Sequence, residues 1–151
     1  MPHVQYKTEK GVDPHLLMSV ITDFDSYTQF IPEVIDANIR TKGPPVWEVR
    51  FVLRVIRPLE YRLRLELCSD LELHWSLIEG FFSINQGYWK LNPTEKGCSI
   101  EYNIFVQLET FLPTSIAKKL QERSIPILIQ RFVDEANQRL VSHLRTDQDD
   151  N

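Results

Sequence analysis

The sequence predicts an α+β domain: a strongly curved antiparallel sheet wrapped around one long C-terminal helix, with two short helices after the first strand. Three observations predict it. Apolar residues alternate with period two over most of the span from Val34 to Leu108. The period lengthens to a helical one in two places, just after the first strand and again beyond Ser115. The links between the strand-like runs are too short for the crossovers of a dozen or more residues that parallel pairing needs.

Taken in order, residues 3–10 alternate weakly, with Val4 and Tyr6 against Gln5 and Lys7, and read as a strand. Asp13-Pro14 then supplies an N-cap with proline at the first helical position, where its missing N–H costs nothing. Leu16, Leu17, Val20, Ile21 and Phe24 recur at helical spacing, predicting a helix over 14–25. Asp25-Ser26 opens a second short turn through Tyr27 and Phe30, stopped by Pro32. Val34 to Lys42 reads as the next strand. In 46–56, Trp47, Val49, Phe51, Leu53 and Val55 share a face, with Glu48, Arg50 and Arg54 opposite. Tyr61, Leu63, Leu65 and Leu67 alternate with Arg62, Arg64 and Glu66, and Leu71, Leu73, Trp75 and Leu77 alternate with Glu72, His74 and Ser76. Ile84 to Asn92 and Gly97 to Leu108 complete the sheet, the last strand placing Cys98, Ile100, Tyr102 and Ile104 on one side. Pro113 ends the alternation. Ser115 starts a helical stretch, and Ser124 before Ile125-Pro126 predicts a kink or restart. Ile125, Leu128, Ile129, Phe132, Ala136, Leu140 and Leu144 then trace one apolar stripe. The domain is expected over residues 3–145, with 146–151 a polar acidic tail.

The 151 residues, 42% hydrophobic and 25% charged, fit one globular domain and exclude a disordered or collagenous chain. No apolar run is long enough to cross a membrane and no signal peptide is visible, so the expected location is cytoplasmic, with peripheral membrane contact as an option. A net charge of -4 argues against a dedicated nucleic-acid binder. Cys68 and Cys98 have no second pair for zinc and are expected to be buried free thiols; the four histidines are scattered. No metal or cofactor is expected. Nor does any nucleophile–base pair, phosphate loop or paired carboxylate stand out. The inward polar candidates are few: Tyr61, Tyr102 and Asn85. His74 is expected to face solvent.

Three stretches resemble a known superfamily. They are Val20-Ile21-Thr22-Asp23-Phe24-Asp25-Ser26-Tyr27-Thr28-Gln29-Phe30-Ile31-Pro32; Gly80-Phe81-Phe82-Ser83-Ile84 with Trp89-Lys90-Leu91 and Pro93; and Ser99-Ile100-Glu101-Tyr102 running on to Phe132 and Ala136. In these the chain is similar to the START-like, or helix-grip, proteins, and within them to the coenzyme Q-binding and polyketide cyclase/dehydrase branch. Thr28 and Leu91 stand where that branch often has proline and phenylalanine. The resemblance implies non-catalytic binding or transport of a lipid, an isoprenoid quinone or a polycyclic aromatic in an apolar cavity between sheet and helix. Trp47, Phe51, Leu63, Trp75, Trp89, Tyr102, Ile104, Leu128 and Phe132 are the expected lining, with ordinary core filling as the plain alternative. An empty cavity of ~300 Å3 would cost about 7 kcal/mol, comparable to a domain's whole stability. The alternatives in function are a polyketide aromatase/cyclase and a ribosome-association regulator.

Between residues 40 and 66 seven basic side chains face three acidic ones. Arg50, Arg54, Arg62 and Arg64 are expected on the outer sheet face, first as a solvated surface paired with Glu48 and Glu66. The sharper reading is docking to an anionic membrane surface. Ribosomal RNA comes third, because no outward aromatics are expected there to stack on bases.

Overall fold

The computed structural model describes residues 3–54, 58–108 and 120–149. Strand β1 (His3–Lys10) is followed by helix α1 (Pro14–Ile21), a 3-10 turn at Phe24–Ser26 and helix α2 (Tyr27–Phe30). Six strands follow: β2 (Val34–Thr41), β3 (Val46–Arg54), β4 (Pro58–Ser69), β5 (Glu72–Gly80), β6 (Phe82–Thr94) and β7 (Gly97–Leu108). A π-helical turn at Leu120–Ser124 leads into α3 (Ile125–Asp149). The readings made for Val55, Ile56, Arg57, Pro113, Ser115 and Ile116 lie outside the described residues.

The sheet has the spatial order β1-β7-β6-β5-β4-β3-β2, with every pair antiparallel. Its register joins the predicted inward residues across the strands. Trp47 pairs with Leu65, Leu65 with Trp75, Leu73 with Trp89, and Trp89 with Tyr102. The parity read from the sequence is therefore the parity of the core. Cys98 is buried on this inner face. Cys68 corrects the expectation: it is exposed, since it follows the inward Leu67 and takes the opposite parity of β4.

Helix α1 starts as predicted, with the Asp13 carboxylate accepting from the Leu16 N–H at 2.9 Å. It ends at Ile21, earlier than the predicted 25. The Thr22 backbone N–H and hydroxyl both donate to the Met18 carbonyl, closing the last turn, and Asp23 leaves helical geometry. Helix α2 stops at Phe30, because the following Ile31 precedes Pro32 and is extended (φ −118°, ψ 99°).

Helix α3 packs on α1, α2 and β1 and lays Ile125, Ile129, Phe132, Val133 and Ala136 into the core. The π-helical turn gives way to α-helix at Ile125, so the helix type changes at the expected point, with Pro126 in the first turn where its N–H is not needed. The predicted stripe does not stay buried to its end. Leu140 and Leu144 are 44% and 53% exposed. A 25-residue helix spans roughly 37 Å, and its last turns run past what the sheet covers. The helix continues through Asp149, so most of the expected polar tail is helical. Arg131 and Glu33 (2.5 Å), Arg139 and Asp23 (3.0 Å), and the Asn137 amide donating to the Gly11 carbonyl (3.2 Å) tie α3 to the rest of the domain.

Candidate functional site

All nine residues expected to line a cavity belong to the hydrophobic core or pack against it. Trp47, Phe51, Leu63, Trp75, Trp89, Tyr102 and Phe132 are buried, and Ile104 and Leu128 pack against them half-buried. The region is aromatic. The Trp89 ring stands edge-on to Tyr102 (centroids 4.8 Å apart) and to Phe132 of α3 (5.1 Å). Phe51 stacks on Tyr61 (5.7 Å), and Trp75 tilts against Tyr102 (5.5 Å). Tyr27 and Phe30 of α2 close the other side, each edge-on to Phe132 at 5.2 and 5.3 Å. The sequence places these two on a short turn without assigning them to the aromatic core. Four residues of helix carry too little periodicity to show which way they face.

The polar groups in this wall are few and neutral. The Tyr27 hydroxyl donates to the Ile21 carbonyl, and burial, followed by the nearby Tyr102 and Tyr61, raises its pKa well above the phenolic value. Trp75 Nε1 donates to Asn85 Oδ1 at 3.0 Å, which fixes the amide on the inner face. Burial likewise raises the pKa of Tyr61 and Tyr102, and for Tyr61 the neighbouring Tyr102 adds to it. Neither of these hydroxyls is hydrogen-bonded among the described residues.

Backbone geometry sets where the Trp75–Asn85 bond falls. The β5–β6 ladder runs from Glu72 opposite Lys90 to Trp75 opposite Gly87. Beyond Trp75 the strands part: Ser76, Leu77, Glu79 and Gly80 pair with β4, while Phe82 and Ile84 to Gln86 pair with β7. The Trp75–Asn85 hydrogen bond sits where they diverge. Gly87 is the pivot, since a Cβ there would lie 2.1 Å from the Asn103 carbonyl oxygen and 2.6 Å from the Trp75 ring. An open pocket of about 600 Å3 lies at the strand ends, lined by Tyr61, Gly80, Phe81 and neighbours.

On the outer face the expected arginines are locally balanced. Arg50 pairs with Glu60 (2.6 Å) and Asp36 (2.8 Å), Arg62 with Glu79 (2.8 Å) and Glu48 (3.5 Å), and Arg64 with Glu66 (3.3 Å). The hydrogen bond from Arg50 lowers the Glu60 pKa. Arg54 is exposed at the end of β3. The expectation of no outward aromatics is corrected. His3 stacks on Phe105 (4.0 Å), and His74 faces outward as expected, stacking on Tyr88 (5.3 Å). The His74, Tyr88 and Phe105 rings line a shallow pocket of about 300 Å3, where Asn103 is hydrogen-bonded to both His3 (2.5 Å) and Tyr88 (3.2 Å). Among the described residues no group of His, Cys, Asp and Glu could hold a metal ion, and no helix is long and apolar enough to cross a membrane.

A curved antiparallel sheet closed by a C-terminal helix over an aromatic interior defines the START-like, helix-grip class of proteins. Solved structures share this fold across nearly the whole chain. A START superfamily protein from Mycobacterium smegmatis superposes with a TM-score of 0.80 at 17% identity, covering 90% of this chain and 97% of the other. An aromatase/cyclase from Streptomyces gives 0.73 at 15%, covering 91% and 94%. A STAR-related lipid transfer protein from Xanthomonas axonopodis gives 0.68 at 12%, covering 88% and 84%. No curated protein matches the sequence. The particular family is fixed by residues 11–133, which match the pattern described as polyketide cyclase / dehydrase and lipid transport; the chain belongs to that family.

Proposed function

We propose that the chain binds a hydrophobic small molecule in the aromatic space between the sheet and α3, and holds it without transforming it. The observation that supports this reading most is the character of that wall. Its rings come from β3, β4, β5, β6, β7, α2 and α3, and its polar groups are phenols, indole N–H groups and one amide, all neutral at physiological pH. Phenols whose pKa is raised are poor general bases, and no carboxylate or imidazole stands among the nine lining residues. Each methylene a ligand buries there would contribute about 0.8 kcal/mol. Lipids, isoprenoid quinones and polycyclic aromatics all fit this description.

The experiment is a titration of purified protein with a fluorescent polycyclic hydrocarbon. Trp89→Ala should weaken binding at least about tenfold, whereas Arg64→Ala, on the outer face, should not. Equal effects of the two would remove the ligand from the chamber. A second reading, cyclisation of a polyketide, is favoured by the hydroxyls of Tyr61 and Tyr102, which have no hydrogen-bond partner among the described residues. It would replace the first if a model polyketide were turned over and Tyr102→Phe abolished the turnover.

A further inference from the structure

Where β5 and β6 part, the outer face of the sheet opens into a cleft. Trp75 opposite Gly87 is the last rung of their ladder. Ser76 and Gln86, which would make the next rung, pair instead with Arg64 of β4 and Phe105 of β7. Both share the outward parity of His74 and Tyr88, and they are carried apart with their strands. The result is the pocket of about 300 Å3 that these residues line. Sites for small molecules begin at about that size.

One wall of the cleft is aromatic and held in place. His74 stacks on Tyr88 at 5.3 Å, and Phe105 stacks on His3 at 4.0 Å. The Tyr88 hydroxyl donates to the Glu101 carboxylate at 2.9 Å and accepts from the Asn103 amide at 3.2 Å. Asn103 is 8% exposed and bonded in turn to His3. The Tyr88 ring is thus fixed before a ligand arrives, and little ordering is needed on binding. The opposite wall carries one charge of each sign. Arg64 and Glu66 stand two residues apart on β4, side by side on one face. Their contact of 3.3 Å, between side chains 49% and 44% exposed, is longer than a good charge-assisted hydrogen bond and adds little stability, so a ligand can replace it.

These walls discriminate among ligands. A simple anion would meet Arg64 but also Glu66, and a simple cation would face the reverse. A bare hydrocarbon would cover both charges and the Ser76 and Gln86 side chains without bonding them. A neutral flat heterocycle with acceptors and donors along its edge suits both walls. Guanine has that edge: O6 and N7 accept from a guanidinium, while N1–H and the 2-amino group donate to a carboxylate.

We propose that this cleft is a second binding site, separate from the aromatic core and independent of the function proposed above, and that it takes a guanine-type base. The Tyr88 and Phe105 rings receive the flat of the base. Arg64 donates to its O6 and N7, and Glu66 accepts from N1–H and the 2-amino group.

The test uses the full chain labelled with 15N and two matched probes, guanosine and adenosine 5′-monophosphates. They share sugar and phosphate, and adenine presents a donor where guanine presents O6. The guanine probe is expected to shift the backbone amides of Ser76, Gln86, Tyr88 and Phe105 saturably, with an affinity about fivefold or more above that of the adenine probe. Glu66→Ala and Arg64→Ala, both at exposed positions, should each lower guanine affinity by about that factor and leave adenine affinity nearly unchanged. Equal affinity of the intact protein for the two probes would overturn the base-edge recognition, and so would a preference that survives both substitutions. No shift at about 5 mM of the guanine probe would overturn the site, and shifts centred on Trp89 and Tyr102 would place the base in the core and overturn it as well. The comparison on the intact protein needs no variant to fold.

Discussion

Replacing Phe132 with alanine should be among the costliest single changes in this protein. Phe132 is the point where α3 meets the aromatic core. It is 2% exposed and edge-on to Tyr27, Phe30 and Trp89 at 5.1–5.3 Å. Truncating a buried phenylalanine to alanine costs about 3–5 kcal/mol, combining lost transfer energy with the cavity left behind. Three ring contacts, each worth roughly 0.5–1.5 kcal/mol beyond area, place this site in the upper half of that range, at about 4–5 kcal/mol. In a 151-residue domain each kcal/mol lowers Tm by about 2–4 °C, so a drop of roughly 8–20 °C is expected. Urea unfolding should show the midpoint falling with an unchanged m-value, the mark of lost stability rather than altered compactness. Phe132→Leu, which keeps most of the volume, should cost roughly 1–2 kcal/mol and stay folded for comparison. Benzene added to the alanine variant should recover part of the loss by occupying the vacated apolar space. A loss below about 1 kcal/mol would show that Phe132 borders space already empty, and the packed contacts described above would not be the ones holding α3.

Two further outcomes follow from the geometry. Alkaline stability should fall early, because burial raises the pKa of Tyr27, Tyr61 and Tyr102 from 10.0 and that of the Cys98 thiol from 9.0 to about 11. Groups whose folded pKa is raised stabilise the fold fully below their unfolded values and lose that contribution as pH climbs through the folded ones. Tm should therefore hold steady to about pH 9 and decline above it, less steeply in Cys98→Val; a flat Tm to pH 11 would contradict the burial assigned to these groups. At Gly87 an added Cβ would meet the Asn103 carbonyl at 2.1 Å, so Gly87→Ala should destabilise by about 2–3 kcal/mol. Gly11→Ala, with its nearest atom at 3.7 Å, should stay within about 0.5 kcal/mol in the same urea series, and similar losses at both sites would discount the close approach of β6 to β7.

Much of the sheet is legible in the sequence because a strand's side chains obey a two-residue period. Trp47, Leu63, Trp75, Trp89 and Tyr102 follow that parity into the core with no tertiary information needed. What the period cannot convey is where one element outlasts its neighbour. Leu140 and Leu144 continue the apolar stripe of α3 beyond the sheet, and Cys68 lies one residue past the last inward leucine of β4. Nor can it convey which strands part. Asn85 is recognisable as an inward polar residue, but its bond to Trp75 depends on β5 and β6 diverging at Gly87, a property of the β4 and β7 ladders on either side. The outer arginines show the same division. Alternation places Arg50, Arg62 and Arg64 outward, whereas the partners Asp36 and Glu79 come from strands whose register the sequence does not state.

The central claim, that the aromatic space under α3 is where a hydrophobic ligand sits, can be tested most directly by fluorine NMR of protein carrying 5-fluorotryptophan at Trp47, Trp75 and Trp89. The three resonances can be assigned through single Trp→Phe variants. Addition of fluorenone is predicted to shift the Trp75 and Trp89 signals together, saturably and with one dissociation constant, since both rings flank Tyr102. If neither signal moves while the probe demonstrably binds, the ligand lies elsewhere on the protein and the account is contradicted.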